Sequence, residues 1–123
     1  MATWESGRES ALLDDIIAGR KTIEGRLKKG KFAQYAVSDI ISLRRDYRDR
    51  QGVLHDGTPN ASRVTIVAIR EYATFFEMVR AEGFRRVIPS ARTVREAADE
   101  YNKYYSANDQ ARYGVLAIEV EVQ

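Results

Sequence analysis

The chain has 123 residues, 44% hydrophobic and 31% charged, with no cysteine, one histidine and a net charge of +2. This balance fits one domain with one core and one shallow site, and it excludes zinc fingers, iron–sulfur sites, cysteine nucleophiles and histidine-rich metal centres. No cofactor or metal is expected. No apolar run approaches the ~20 residues of a membrane span, and Met1 to Glu9 has neither the apolar segment of a signal peptide nor the pattern of a transit peptide, so a cytoplasmic location away from membranes is expected.

Ser6 and Glu9 have capping-box spacing and predict a short helix carrying Leu12, Leu13, Ile16 and Ile17 as far as Gly19. Thr22 to Leu27 alternates with period two, which predicts a strand with Ile23, Gly25 and Leu27 on one face and Thr22, Glu24 and Arg26 on the other. Asp39 to Leu43 reads as a second strand. Arg44 to Asn60 contains the turn signals Gln51-Gly52, Asp56-Gly57 and Pro59-Asn60, and reads as a long loop whose Arg44, Arg45, Arg48 and Arg50 form a flexible rim open to a protein partner. His55 belongs to its turn chemistry.

Arg63 to Arg70 is the third predicted strand. The pair Thr74 and Glu77 opens a helix that turns Phe75, Phe76 and Val79 inward and ends at Gly83, with Phe84 packing back on it. A third box, Thr93 and Glu96, opens a helix presenting Val94, Ala97, Ala98, Tyr101 and one of Tyr104 and Tyr105. Tyr113 to Val122 alternates as a terminal strand, with Leu116, Ile118, Val120 and Val122 toward the core and Val115, Ala117, Glu119 and Glu121 facing away. The expected architecture is a single α+β domain over residues 1–123, a small, mostly antiparallel β-barrel with flanking helices.

Charge is uneven along this framework. Arg20 to Lys31 carries six cations against Glu24, while both ends of the chain are acidic, so a polyanion would be drawn to one region. Within it, Lys21 stands at the start of a strand whose Thr22, Glu24 and Arg26 share a face. Burying such a cluster without a role is costly, which points to a cleft; a solvated strand face with an ordinary Glu24–Arg26 pair is the alternative.

Gly19-x-Lys21-x-x-Glu24-x-Arg26 resembles the G-x-K-x-x-E-x-R signature of the ASCH domain (activating-signal-cointegrator homology), a member of the PUA-like superfamily. Tyr72 with Phe75 to Val79, the turn before Pro89, the helix end Tyr101 to Ser106 and Tyr113-Gly-Val-Leu-Ala-Ile-Glu119 resemble the family's later segments in the family's order. Three departures stand out: Met1 to Gly7 is short and polar where the family has a first strand, Ser38-Asp39 replaces the usual Gly-Asp turn, and residues 44–60 look like an expanded loop.

The resemblance implies a cleft, lined by the signature, that binds RNA or a modified nucleoside or nucleotide. Lys21 and Arg26 would meet phosphate oxygens, and Glu24 would accept from a base or ribose donor or hold Arg26. Tyr104, Tyr105 and Tyr113 would offer stacking faces for an unpaired base, with Tyr101 in the core. Some family members hydrolyse N4-acylated cytidine nucleosides with a signature close to G-x-K-T-x-T-x-R, which Lys21, Thr22 and Arg26 match and Glu24 does not. An enzymatic reading, amidohydrolase or ribonuclease, would use Glu24 as general base and Lys21 as oxyanion stabiliser, with Glu71 a second candidate carboxylate.

Overall fold

Five strands form one sheet in the computed structural model, which describes all 123 residues. They are β1 (Thr3–Glu9), β2 (Ile23–Leu27), β3 (Ile40–Arg48), β4 (Leu54–Tyr72) and β5 (Val115–Val122). The order across the sheet is β1-β3-β4-β5-β2; β1 runs parallel to β3 and every other pair is antiparallel. The sheet curls into a half-barrel that brings its edge strands, β1 and β2, toward each other. Their side chains meet where Arg8 of β1 donates to Glu24 of β2 at 2.8 Å.

Both faces of the sheet are covered. On one, α2 (Phe75–Glu82) and α4 (Val94–Asn102) pack Phe75, Met78, Val79, Ala97, Ala98 and Tyr101 against Ile23, Leu27, Val115 and Ala117. On the other, α1 (Ser10–Ile17) brings Leu13 and Ile16 onto Ile41, Leu43, Val64, Ile66, Leu116, Ile118 and Val120. Both predicted threonine caps form: Thr74 accepts from the Glu77 amide at 3.1 Å and Thr93 from the Glu96 amide at 3.0 Å. Two short helices, α3 (Phe84–Val87) and α5 (Ala107–Tyr113), complete the chain, and no helix is long and apolar enough to cross a membrane.

Several expectations are corrected. Ser6 and Glu9 are not a capping box; they lie in β1, and α1 begins at Ser10 with no side-chain cap. This polar segment becomes a strand because Asp39 pins it: its carboxylate accepts from the Ala2 amide, the Trp4 indole and the Ala36 amide at 2.8, 2.9 and 3.0 Å. Ser38, in place of the usual glycine, holds φ at 80°, a conformation that costs a non-glycine residue about 1 kcal/mol or more.

Residues 44–60 are not a loop. β3 and β4 extend through them as a hairpin arm whose turn is organised by Asp49, which accepts from the Gln51 and Val53 amides. The turn signals inside β4 mark irregularities of the ladder rather than chain reversals. At Gly57 a Cβ would lie 1.9 Å from the Arg45 carbonyl oxygen, and Asn60 has φ 50°. Three of the four rim arginines are not loose: Arg44 pairs with Asp46, Glu5 and Asp56, Arg45 with Asp14, and Arg48 with Glu9, while Arg50 is exposed in the turn. His55 is on β4, against Asp49.

Facing also differs at two elements. Val115 and Ala117 are buried beneath the helices because β5 is an interior strand with both faces covered, whereas Val122, the last residue of β5, is exposed. Phe76 remains 39% exposed, and Met78 takes the inward place expected of it.

Candidate binding cleft

β2 supplies the floor of the candidate site. Its residues pair with β5 from Ile23 opposite Glu119 to Leu27 opposite Val115, so alternation sends Ile23 and Leu27 under the helices and Glu24 and Arg26 into the mouth between β1 and β2. Gly25 lets the site close from the helix side: a Cβ there would stand 2.8 Å from the Tyr101 ring and hydroxyl and from the Met78 methyl. The result is a cleft of about 290 Å³ lined by Arg8, Lys21, Glu24 and Arg26, with Tyr101, Tyr104 and Tyr105 along one wall and Leu12, Ile88, Ser90 and Glu100 at its margins.

Arg8, Lys21 and Glu24 are all buried. Oε1 of Glu24 accepts from Arg8 Nε, while Oε2 lies 3.7 Å from Arg26 Nη2, beyond hydrogen-bonding reach. Glu24 is the sole carboxylate within ion-pair distance of Arg8 or Arg26, and Lys21 has none, its ammonium donating to the carbonyls of Ile23 and Val87. Burial alone would raise the Glu24 carboxyl, but the charges of Arg8, Lys21 and Arg26 outweigh it and hold the group well below the usual carboxylate range. Burial pushes the Lys21 ammonium down to about 8, with Glu24 opposing and Arg26 and Arg8 adding to the shift.

The aromatic wall is graded. Tyr101 stacks on Phe75 with ring centroids 4.3 Å apart, and burial raises its phenol. Tyr105 also stacks on Phe75, at 5.0 Å, and is half-buried, whereas Tyr104 is 77% exposed, a free aromatic face at the lip. Glu100 beside it is neutralised by Lys103 at 2.8 Å.

Of the residues singled out in the sequence, Lys21, Glu24, Arg26, Tyr104 and Tyr105 come together. Thr22 does not; it turns to the back of Lys21, where its hydroxyl accepts from Arg86 at 3.2 Å. Tyr113 ends α5 under the cations of Lys29 and Arg112, and Glu71 pairs with Lys28 at 3.2 Å, both outside the cleft. Arg8 and the lining role of Tyr101 were missed. Arg8 stands alone in a polar segment, and only the parallel pairing of β1 on β3 carries it to Glu24. No group of three or more His, Cys, Asp or Glu side chains is placed to hold a metal ion.

The ASCH domain model matches residues 10–123, nearly the whole chain. The chain is a member of the ASCH domain family. Among solved structures, the ASCH chain is similar to hypothetical protein PH0355, at 32% identity and TM-score 0.81, covering 98% of this chain and 99% of that one. It is similar also to protein PF0455 from Pyrococcus furiosus, at 32% identity and TM-score 0.76, covering 98% and 96%. Protein EF3133 from Enterococcus faecalis V583 shares the fold at 13% identity and TM-score 0.60, covering 100% of this chain and 76% of that one. No curated protein matches.

Proposed function

We propose that the cleft binds single-stranded RNA, or a nucleotide-like ligand, by one nucleotide at a time. The observation that supports this best is the buried excess of positive charge: Arg8, Lys21 and Arg26 surround one carboxylate, a balance that an anionic ligand completes. The phosphate meets Arg26 and Lys21, the base lies on the exposed face of Tyr104, and the free Oε2 of Glu24 accepts from a ribose hydroxyl or a base amine. A cleft of about 290 Å³ suits one nucleoside and not a duplex.

Hydrolysis of an N4-acylated cytidine draws on the same residues, and the Lys21 proton, released near 8, favours it as a donor close to neutral pH. Against it stands Glu24: a carboxylate held so far below its usual range is a weak general base, and this weakens a ribonuclease reading equally. A protein partner on the arginine-rich arm has less support, since Arg44, Arg45 and Arg48 already have acidic partners within the chain.

The test is to incubate the wild type, Lys21→Ala and Arg26→Gln with labelled single-stranded RNA and, in parallel, with N4-acetylcytidine. Binding that weakens with salt is expected, with a log–log slope of about −0.7 per phosphate contacted and about 0.7 shallower in Arg26→Gln. Lys21→Ala should weaken it roughly ten- to a hundredfold, the loss of a charged hydrogen bond worth about 1.5–3 kcal/mol. Consumption of acetylcytidine by the wild type and not by Lys21→Ala would make the protein an amidohydrolase and overturn the binding reading.

A further inference from the structure

The three cations of the cleft all keep donors that the fold does not use. Lys21 gives its ammonium to the carbonyls of Ile23 and Val87, at 3.0 and 2.5 Å, which leaves one of its three N–H bonds free. Arg8 spends Nε on Glu24 and Nη1 on the Ser6 hydroxyl and the Gly7 carbonyl, and its Nη2 has no partner in the chain. Arg26 spends Nη1 on the Gly25 carbonyl and leaves Nε and Nη2 without a hydrogen bond. The free arginine nitrogens are not sealed in the core, where the Tyr35 hydroxyl is the one side-chain atom without a partner, and both arginines line the cleft.

Neighbouring carboxylates do not cancel the excess of charge. Asp15, near Lys21, pairs with Arg20 at 2.7 Å, Asp46, near Arg8, pairs with Arg44 at 2.6 Å, and Glu100 at the margin pairs with Lys103. Glu24 alone therefore answers Arg8, Lys21 and Arg26, and three cations less one carboxylate leave a surplus of two positive charges. A phosphodiester inside a strand brings one negative charge and two unesterified oxygens. A phosphomonoester brings nearly two charges at neutral pH, since its second proton leaves near pH ~6, and it offers three oxygens, one for each cation. Access argues the same way: Arg8 and Lys21 are only 6% and 4% exposed, so a phosphate reaches them end-first, and a monoester has chain on one side where a diester has it on both.

Resting on the RNA reading of the cleft, we infer that the cleft takes phosphorylated ends: its ligand is a nucleotide phosphomonoester, free or at the terminus of single-stranded RNA, with its three oxygens on Arg8 Nη2, the Lys21 ammonium and the free nitrogens of Arg26. The nucleoside follows outward to the exposed face of Tyr104, and an attached strand leaves through the mouth of the cleft. Arg8 is then a binding residue as well as the link between β1 and β2. A phosphate from the interior of a strand leaves one of the three cations unmatched and binds more weakly.

Calorimetric titration at pH ~7.5, where the monoester is a dianion, tests this on the wild-type protein. The ligands are the four nucleoside 5′-monophosphates, the four 3′-monophosphates, the methyl phosphodiester of each, and one tetranucleotide with phosphate or hydroxyl at either end. For at least one strand end the monophosphate should bind about tenfold or more tighter than its methyl ester, the effect of one added charged hydrogen bond, and the tetranucleotide phosphorylated at that end should outbind its hydroxyl form by a similar factor. Arg26→Gln lowers the surplus to one charge, so it should lose most of the preference for monoester over diester; a merely structural effect would weaken both ligands alike and keep the ratio. Methyl esters as tight as their monophosphates at both ends, or a preference that Arg26→Gln leaves intact, overturns the inference while RNA binding by the cleft stands. Failure of every nucleotide and tetranucleotide to bind overturns the RNA reading itself, and this inference with it.

Discussion

Lys21 and Glu24 share one buried environment and respond to it in opposite ways. Burial above all, with Arg26 and Arg8 adding to it and Glu24 opposing, acts against the Lys21 proton and lowers its ammonium from the ordinary 10.5 to about 8. Glu24 keeps its charge because the same cations favour it. Affinity for an anionic ligand that uses Lys21 should therefore be full below about pH 8 and fall above it by up to about tenfold per unit, followed by titration from about pH 6.5 to about pH 9.5. Lys21→Arg, which stays charged, should move the decline out of that range; a wild-type affinity flat across it would mean that the Lys21 charge is not used. Stability moves the other way. Between about 8 and 10.5 the folded chain binds fewer protons at Lys21 than the unfolded chain does, so this residue's contribution to stability rises with pH while ligand affinity falls.

At the scale of elements, the site exists because two edge strands face each other without backbone pairing between them, joined there by Arg8 and Glu24. Removing one partner strands a buried charge, so Arg8→Met and Glu24→Gln should each cost about 3–5 kcal/mol in urea unfolding, and hydrogen exchange should speed up in β1. The double variant Arg8→Met/Glu24→Met should regain only the part of the loss that comes from stranding one member of that pair, because Lys21 and Arg26 are then left without a carboxylate. Single variants costing under about 1 kcal/mol would show that Asp39 and the pairing with β3 hold β1 in place without the Arg8–Glu24 bridge.

What the sequence disclosed divides along the same line. Elements whose signals are local were legible: α2 and α4 from their caps and periodicity, β2 and β5 from alternation, and Lys21, Glu24 and Arg26 from one eight-residue stretch. Elements set by distant partners were not. β1 is polar and gains its strand from Asp39 and from parallel pairing, and the arm of β3 and β4 carries glycine, proline and asparagine at ladder irregularities that look like turns when read one residue at a time. Arg8 was invisible for the same reason, its partner lying 16 residues away on another strand.

For the molecule as a whole, charge balance separates two ionic clusters, each built on a buried carboxylate. Around Glu82, Arg70 donates twice at 2.6 Å and reaches Glu119 at 2.6 Å, Arg86 approaches Glu119 at 3.5 Å, and Tyr72 donates to Glu82 as well, so two cations face two carboxylates. That cluster is closed, and it fastens β4 to α2 and β5. Around Glu24 three cations face one carboxylate, and that cluster is open to the cleft. The Arg70 hydrogen bonds hold the Glu82 carboxyl below its usual value against the opposing effect of burial. Its contribution to stability is therefore complete above the ordinary carboxylate value of 4.5 and is lost as pH falls through the lower folded value. Glu82→Gln should lower stability at neutral pH, flatten the loss of stability on acidification, and leave nucleotide affinity at neutral pH unchanged wherever the variant is folded. Urea midpoints across the acid range, paired with titration of the ligand at pH ~7, measure both quantities in one protein. A Glu82→Gln protein that stays folded but binds nucleotide much more weakly would mean that the two clusters are coupled through β5, and that the ligand reads the charge of the whole sheet rather than that of one cleft.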